Sequence, residues 1–269
     1  MALFGRQVIL QIGPEGGTAR SFEGFRVTFD VKMSKSSTPN SAVIEAYNLN
    51  PTSIALAQDP TSLVRLFVGY DVPRQIFQGN PIANGVRLDR RGPDRVLRLE
   101  LQDGGRAWQE ARVSVSFATS TTLRQVYDAI SAQLGLPAGT VRIAEDFTFP
   151  QGVTLTGPAR DVLDRLAVST SSDWFIRDGA IQFIGATEDT GEQAVVFSAT
   201  AGNLIGSPTP KDNGIEVTAL LAPSLRPGKT FSVQSADYNG LYVAGDVSFR
   251  GDSGWDRPFY VTAVGTPSG

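Results

Sequence analysis

The chain has 269 residues, and its 24 lysines and arginines against 27 aspartates and glutamates give a formal net charge of −3. This mild acidity argues against a dedicated duplex-DNA or anionic-membrane binder, because such proteins usually carry a basic face. Cysteine and histidine are both absent, which excludes disulfides, thiolate or imidazole metal sites, and Ser-His-Asp or Cys-His catalysis. No apolar run is long enough to cross a bilayer and no signal-peptide cleavage site follows the apolar start, so we expect a soluble, non-secreted protein.

The first hundred residues predict short strands, because alternating apolar and polar runs there are separated by glycine, proline and asparagine clusters. In residues 24–33, Phe25, Val27, Phe29 and Val31 share one parity, which indicates a strand with one buried face. Strands at this spacing predict a barrel or a sandwich.

Two helices are predicted after residue 107, where the apolar period becomes helical. We expect the first to be capped by Ser120 or Thr121 and to end at Gly135, and the second to have Pro158 in its first turn. Their expected buried positions are Leu123, Val126, Tyr127, Ile130 and Leu134 in the first, and Val162, Leu163, Leu166 and Ala167 in the second. The pair Asp178-Gly179 between two apolar runs predicts a hairpin, so the middle third is an α+β unit.

After residue 190 the strands return, and the two strand-rich regions repeat one order of elements. The run SAVIEAYNLNP corresponds to GIEVTALLAP, LVRLFVGY to KTFSVQSADY, QIFQGNPIANGVRLD to LYVAGDVSFRGD, and VLRLEL to FYVTAV. Identities are few, but the order and the glycine and proline punctuation agree, which indicates an internal duplication. We therefore predict a mainly β fold with an α+β insert: two similar tube-type β-barrels, residues 1–107 and 191–269, flanking a small helix-containing middle domain, residues 108–190.

This duplication suggests a geometry for assembly. Three copies of a chain that carries two similar barrels present six similar units around one axis. If the interfaces run head to tail and close a ring, a threefold object completes a sixfold tube.

Three segments resemble the baseplate hub proteins, also called tail hub proteins, of contractile-tailed phages. They are residues 39–53 (PNSAVIEAYNLNPTS), residues 204–233 (LIGSPTPKDNGIEVTALLAPSLRPGKTFSV) and residues 242–264 (YVAGDVSFRGDSGWDRPFYVTAV). The similarity spans most of the chain, is strongest from Gly202 onward and is weakest in the middle third. In that family a strand-rich barrel, a helical middle and a second barrel follow in this order.

The resemblance implies a structural protein of the virion, a homotrimeric ring in the tail baseplate that is assembled in the host cytoplasm. Its implied partners are the tail tube protein, the central spike protein, the C-terminus of the tape-measure protein and other baseplate proteins. DNA would pass through the lumen only transiently, and mildly acidic walls suit that passage because they do not hold phosphate. The resemblance implies no cofactor.

Two segments, one glycine-rich and one rich in arginine, are candidate binding sites. The segment GPEGGTAR, residues 13–20, lacks the Gly-Lys-Ser/Thr ending of a phosphate loop, so a hairpin turn is favoured. An arginine cluster in residues 86–98 is compatible with a nucleic-acid patch, but interleaved carboxylates favour a solvated surface or a subunit interface. Its members are Arg87, Arg90, Arg91, Arg95 and Arg98, with Asp89, Asp94 and Glu100 close by in the sequence.

Carboxylates in residues 144–147 (AEDF), together with Asp161 and Asp164, are the candidates for glycoside hydrolysis or calcium binding. The i, i+3 spacing of Asp161 and Asp164 is explained by a polar helix face, and no calcium-loop pattern is present. We therefore assign no catalytic, cofactor-binding or metal-binding residue and predict no enzyme activity.

The tripeptide Arg250-Gly251-Asp252 is expected to form a turn between the last two strands. The three tryptophans, Trp108, Trp174 and Trp255, are expected near strand ends, packed in a core or an interface rather than stacked on sugars. Other functions stay open beside the contractile-tail hub: a hub of a non-contractile tail or of a phage-like injection device, a hub with cell-wall lytic activity, and a carbohydrate-binding β protein.

Overall fold

A computed structural model of the chain describes residues 5–59, 61–142, 147–254 and 257–268. Its first part is rich in strands, as the alternating sequence predicts. The elements are β1 (Arg6–Pro14), β2 (Arg20–Phe22), β3 (Val27–Ser34), β4 (Ser41–Tyr47), α1 (Pro51–Gln58), β5 (Ser62–Tyr70), β6 (Arg74–Arg91) and β7 (Asp94–Gln102).

The middle part mixes helices with short strands. Its elements are α2 (Gly105–Glu110), β8 (Arg112–Phe117), β9 (Thr121–Thr122), α3 (Leu123–Leu134), β10 (Ala138–Arg142), β11 (Thr148–Phe149), β12 (Val153–Pro158), α4 (Ala159–Ser169), β13 (Ser172–Arg177) and β14 (Ala180–Gly185). Strands then return in the last part, with β15 (Val195–Ser198), β16 (Leu204–Lys211), β17 (Gly214–Leu220), β18 (Thr230–Gln234), β19 (Asn239–Asp252) and β20 (Phe259–Pro267).

Local patterns explain most of the first part. Val27, Phe29 and Val31 of β3 are buried, as their shared parity predicts, whereas Phe25 precedes the strand and is exposed. The helix α1 was not predicted, because the Asn50-Pro51 pair was interpreted only as a break. The side chain of Asn50 accepts a hydrogen bond from the Ser53 N–H, so this break is also the cap that starts a helix.

The strands of both ends of the chain form one 13-stranded sheet. Its main path runs β16-β17-β20-β19-β3-β4-β7-β6-β5-β1-β2, and β18 joins β19 and β15. The two regions meet where β19 pairs with β3, with Phe249 opposite Val31 and Gly251 opposite Phe29. Within the described residues this path does not return to its first strand, so the predicted pair of closed barrels is not confirmed and the fold is mostly β.

The pairing order is the same in the two strand-rich regions. The first has β3-β4-β7-β6-β5-β1 and the last has β16-β17-β20-β19-β18-β15. One difference is that β1 is antiparallel to β5 whereas β15 is parallel to β18. The four segment pairs matched in the sequence, β4 with β17, β5 with β18, β6 with β19 and β7 with β20, occupy equivalent places in this order.

Helix α3 begins one residue later than the sequence suggests. The cap is Thr122, not Ser120 or Thr121, because only Thr122 forms the reciprocal capping box with Gln125. Gly135 ends the helix with a φ of 70°, and all five predicted apolar positions are buried.

Helix α4 and the hairpin after it follow the prediction closely. Pro158 is the N-cap residue just before α4, not the first-turn residue that the sequence predicts. Asp161 lies in the first turn, and the four predicted apolar positions are buried. Asp178 and Gly179 form the two-residue turn between β13 and β14, both with positive φ, as a tight hairpin requires.

The buried apolar side chains form two clusters. The larger contains residues from both ends of the chain, including Phe29 and Leu99 of the first part and Phe249 and Val261 of the last. The smaller lies within the middle part and includes Leu163 of α4. The two strand-rich regions therefore share a core, and the middle part has its own.

Candidate assembly surface

The long sheet has one face on the larger core and one polar face. On β3 the alternate residues Thr28, Asp30 and Lys32 lie on this polar face, because Val27, Phe29 and Val31 take the core side. A cavity of about 460 Å³ on this face extends across β19, β3, β4 and β7. Its charged lining residues are Asp30, Lys32, Glu45, Arg98, Arg250, Asp252 and Arg257.

Glu45 is the centre of an ion-pair cluster on the polar face. Its carboxylate accepts hydrogen bonds from Arg91 at 2.5 and 2.8 Å, from Arg98 at 3.2 Å and from the Thr28 hydroxyl at 3.3 Å. Burial acts to raise the pKa of Glu45, but the bonds and charges of the two arginines outweigh it and lower the pKa below its ordinary value. The cluster fixes β4, β6 and β7 to one another.

A second ion pair ties the two strand-rich regions together. Arg26, just before β3, binds Asp252 at the end of β19 at 2.9 Å, and its guanidinium lies 4.6 Å from the Tyr47 ring centroid. Burial acts to raise the pKa of Asp252, and the bond from Arg26 lowers it below the ordinary range.

The part of the sheet from β16 to β6 has two edges at which the described part of the chain provides no further partner strand. At one end, residues 80–91 of β6 pair only with β7, since residues 74–79 take the pairing with β5. At the other end, β16 pairs only with β17. An unpaired edge presents N–H and C=O groups that another strand can use.

Two other features limit where a further strand could pair. Pro208 and Pro210 of β16 have no N–H, so that edge offers fewer donors. The outer edge of β15 is covered by the side chain of Asn203, which accepts from the Ser198 N–H at 2.8 Å and donates to the Val196 carbonyl at 2.9 Å. The β15 edge is therefore closed to a partner strand at these groups.

The arginine cluster predicted in residues 86–98 lies on the β6–β7 hairpin. Across this hairpin Arg87 lies opposite Arg98, and Arg90 lies opposite Arg95. Arg91 and Arg98 both bind Glu45, and Arg98 also binds Glu100 at 3.2 Å. Asp94 accepts from the side chain of Asn48 at 2.8 Å. The mixed-charge surface that the sequence favours is present.

The glycine-rich segment at residues 13–20 connects β1 to β2, which are antiparallel with Leu10 opposite Phe22, so it is a hairpin turn. The predicted turn at Arg250-Gly251-Asp252 is wrong. These residues lie inside β19 and pair with β3, because the absent side chain of Gly251 leaves room for the rings of Phe29 and Phe259.

The carboxylates considered for catalysis do not form a pair. Asp164 accepts a hydrogen bond from the Trp174 ring N–H at 2.7 Å, whereas Asp161 is exposed beside Arg160. Residues 144–146 of the AEDF segment lie outside the described residues. In residues 5–59, 61–142, 147–254 and 257–268, no group of three or more carboxylates could hold a metal ion.

Two of the three tryptophans, Trp108 and Trp174, lie in or against the middle core. Trp174 of β13 is buried in that core, and Trp108 packs against it from α2, not from a strand end, with Arg160 4.5 Å from its ring centroid. Trp255 lies outside the described residues. None of the helices in the described ranges is both long enough and apolar enough to cross a membrane.

Sequence patterns missed several buried charges at the junction of the three parts. Asp103 accepts from the Gly179 N–H at 2.9 Å, and Arg226 binds Asp178 at 3.1 Å and the carbonyl of Gln75. Both residues stand next to turn-forming residues in the sequence, where a charged side chain is ordinarily exposed, so no local signal marks them as buried.

The fold is similar to that of known tail proteins. The 43 kDa tail protein of prophage MuSo2 from Shewanella oneidensis aligns with a TM-score of 0.67 and 10% identity, over 98% of this chain and 99% of that one. The tail protein from Neisseria meningitidis MC58 aligns with a TM-score of 0.68 and 11% identity, over 99% and 98%. No protein-family model and no curated protein matches the sequence.

The fold is also similar to that of a component of a secretion system. The E. coli protein c3393 is a component of the type VI secretion system with structural similarity to the T4 bacteriophage tail proteins gp27 and gp5. It aligns with a TM-score of 0.59 and 12% identity, over 91% of this chain and 74% of that one. At 10% to 12% identity these likenesses describe the fold. The chain therefore has the fold of phage tail proteins, which is the class of fold that the sequence resemblance implies.

Proposed function

We propose that the chain is the structural hub of a phage tail baseplate, a trimeric ring whose two similar tube-type units per chain make it pseudo-sixfold. The ring joins the tail tube to the central spike, and DNA passes through it. Its other partners are the C-terminus of the tape-measure protein and further baseplate proteins, and it is assembled in the host cytoplasm. The division into residues 1–107, 108–190 and 191–269 belongs to this proposal, as does a purely structural, non-catalytic role.

The repeated pairing order carries the proposal. Eight strands run in the order β16-β17-β20-β19-β3-β4-β7-β6, which is two equivalent sets of four. Inside the chain, the last strand of one set, β19, pairs with the first strand of the other, β3. Repeating that junction between chains pairs β6 of one copy with β16 of the next. This interface is head to tail, so three copies can close a ring.

Leu88 of β6 is the residue that such a junction would cover. It lies opposite Leu97, which lies opposite Ala46, and its counterpart Phe249 lies opposite Val261, which lies opposite Ala219. Phe249 is fully buried against β3, whereas Leu88 is 48% exposed. The difference supports a missing neighbour at the β6 edge, because the same position is buried where a neighbour strand is present.

The hub of a phage-like injection device is a second candidate. The likeness to a type VI secretion component favours it, since that protein aligns over most of both chains. Both candidates use the same ring, and they differ in the structure above and below it. A lytic or sugar-binding role has no such support. Asp164 is hydrogen-bonded to Trp174 and does not form a pair with Asp161, and Trp174 is buried.

The test is the mass in solution, measured by light scattering behind size exclusion, for the chain alone and co-expressed with its neighbouring spike protein. We expect three times the mass of the chain in at least one of the two conditions. Leu88→Arg should prevent the trimer, because it places a charge on the apolar side of the β6 edge.

Val168→Arg is the matched control, since Val168 is also apolar and is 82% exposed, but lies on α4. It should leave the trimer intact. A wild-type chain that stays monomeric in both conditions and does not bind the spike would overturn the proposal. A trimer that tolerates Leu88→Arg would reject the β6–β16 junction while keeping the ring.

A further inference from the structure

A cleft of about 450 Å³ opens where the three parts of the chain meet. The β5–β6 connection, the β13–β14 turn and the β17–β18 connection form its walls. We call it the junction cleft. Its charged lining residues are Arg74, Arg177, Asp178, Glu192, Arg226 and Lys229. Four are cations and two are anions, so the cleft carries two excess positive charges in a chain whose net charge is −3.

The inner cations of the junction cleft are held rigidly. Arg226 is buried and donates to Asp178 at 3.1 Å, to the Pro223 carbonyl at 2.7 Å and to the Gln75 carbonyl, so it joins all three parts of the chain. Lys229 is also buried and reaches Glu192 at 3.4 Å. A site whose charges are fixed in this way loses little order when a ligand binds.

The carboxylates do not balance these cations. Glu192 is shared by Arg177, at 2.8 Å, and Lys229. Nη1 of Arg177 is buried and has no hydrogen-bond partner in the described part of the chain. Burial acts to raise the pKa of Glu192, yet the charges of Arg177 and Lys229 lower it below its ordinary value.

Arg74 completes the site at its rim. It is exposed, and within the described residues it takes part in no ion pair or hydrogen bond that would fix it elsewhere. A guanidinium can bind a carboxylate or a phosphate with two parallel hydrogen bonds, and a lysine adds a compact charge. The lining thus offers an oxyanion both charge and directed donors.

We propose that the junction cleft binds an oxyanion, a phosphate or a carboxylate group. Arg74 is its accessible donor, and the buried Lys229 and the partly buried Arg177 are its inner positive charges. Binding of the anion is favourable because it compensates positive charge that the two lining carboxylates leave unbalanced. A carboxylate ligand would come from an acidic side chain or chain end of a neighbouring protein. A phosphate ligand would be free inorganic phosphate.

The test is thermal unfolding of the full chain in inorganic phosphate and in acetate, each against chloride at equal ionic strength. If phosphate binds with a dissociation constant of about 1 mM, about 10 mM of it should raise Tm by ~3 °C. Selective stabilisation by phosphate assigns a phosphate ligand, and stabilisation by acetate assigns a carboxylate.

Arg74→Gln should remove most of the rise in Tm. Arg90→Gln is the matched control, because Arg90 is an exposed arginine on the same strand but outside the cleft, and it should keep the full rise. The proposal fails if neither anion raises Tm beyond chloride, or if the two variants respond alike. A monomer suffices for this measurement, so the result does not depend on whether the chain forms a ring.

Discussion

Asp103 is a carboxylate buried at the junction of the three parts of the chain. It directly follows β7 and has 1% of its surface exposed, and its Oδ1 accepts the Gly179 N–H at 2.9 Å. Its Oδ2 and the Oδ1 of Asp178 are buried and have no hydrogen-bond partner in the described part of the chain. Burial raises the pKa of Asp103 to about 7, and the Asp178 carboxylate adds to the shift.

This raised pKa gives stability a pH dependence. The ordinary pKa of the group is 3.8, so the unfolded chain ionises well before the folded one. The folded state therefore becomes less stable as pH rises from about 4 to about 7, and stays less stable above that. Asp103→Asn keeps an acceptor for Gly179 and removes the ionisation, so it should raise the free energy of unfolding at pH 8 by up to ~4 kcal/mol.

Urea denaturation at pH 5 and pH 8 measures the effect. The gain from Asp103→Asn should be clearly smaller at pH 5, where the wild-type side chain is mostly protonated when folded. Asp246→Asn is the control, since Asp246 is exposed on β19. An equal gain at both pH values would contradict the assigned ionisation.

At the scale of elements, the pairing of β19 with β3 requires a residue without a side chain at position 251. A Cβ on Gly251 would come within 2.3 Å of the Phe29 ring and 2.9 Å of the Phe259 ring. These two rings pack edge to face at 5.9 Å, so they cannot both move aside. Gly251→Ala should therefore reduce the free energy of unfolding by ~1–3 kcal/mol.

Gly245→Ala on the same strand is the matched control, because its Cβ would meet only the Val264 carbonyl oxygen, at 3.6 Å. It should change stability little. Thermal unfolding of both variants tests the prediction. Equal Tm values would show that the contact with the two aromatic rings does not require glycine at position 251.

Elements with a strict local pattern could be predicted from the sequence. The stripes of α3 and α4, the parity of β3 and the Asp178-Gly179 turn each depend on residues close in the chain. The cap of α3 was misplaced, because Ser120, Thr121 and Thr122 are all suitable types and only the bond to Gln125 decides among them.

The candidate surface was harder to predict than the elements. The pairing of β19 with β3 joins segments more than two hundred residues apart, and no local pattern encodes such a contact. The match between β4 and β17 in the sequence did identify two strands with equivalent pairing. Glu45 was not singled out, since its partners Arg91 and Arg98 reach it only across the sheet.

At the scale of the whole molecule, the two cores predict two patterns of response to mutation. Leu99 lies in the core that both ends of the chain share, and Leu163 lies in the core of the middle part. Either residue changed to alanine should cost ~2–5 kcal/mol in the free energy of unfolding of its own core.

Hydrogen exchange measured by mass spectrometry distinguishes the patterns. Leu99→Ala should speed exchange in β19 and β20 as well as in β3 and β4. Leu163→Ala should speed it in α3 and β13 while leaving β19 unchanged. If Leu99→Ala affects only segments before residue 108, the two strand-rich regions are separate folding units despite their common sheet.

The prolines of β16 have a consequence for the order of assembly in the ring we propose. Pro210 lies opposite Ile215 and is the counterpart of Val31, but it has no N–H to give to β6 of the next copy. The seam between copies is therefore weaker than the seam between β19 and β3 inside each copy. In an open row the end copies are held at one side only and dissociate again, whereas a closed ring holds every copy at both sides. Weak seams thus let assembly correct its own errors.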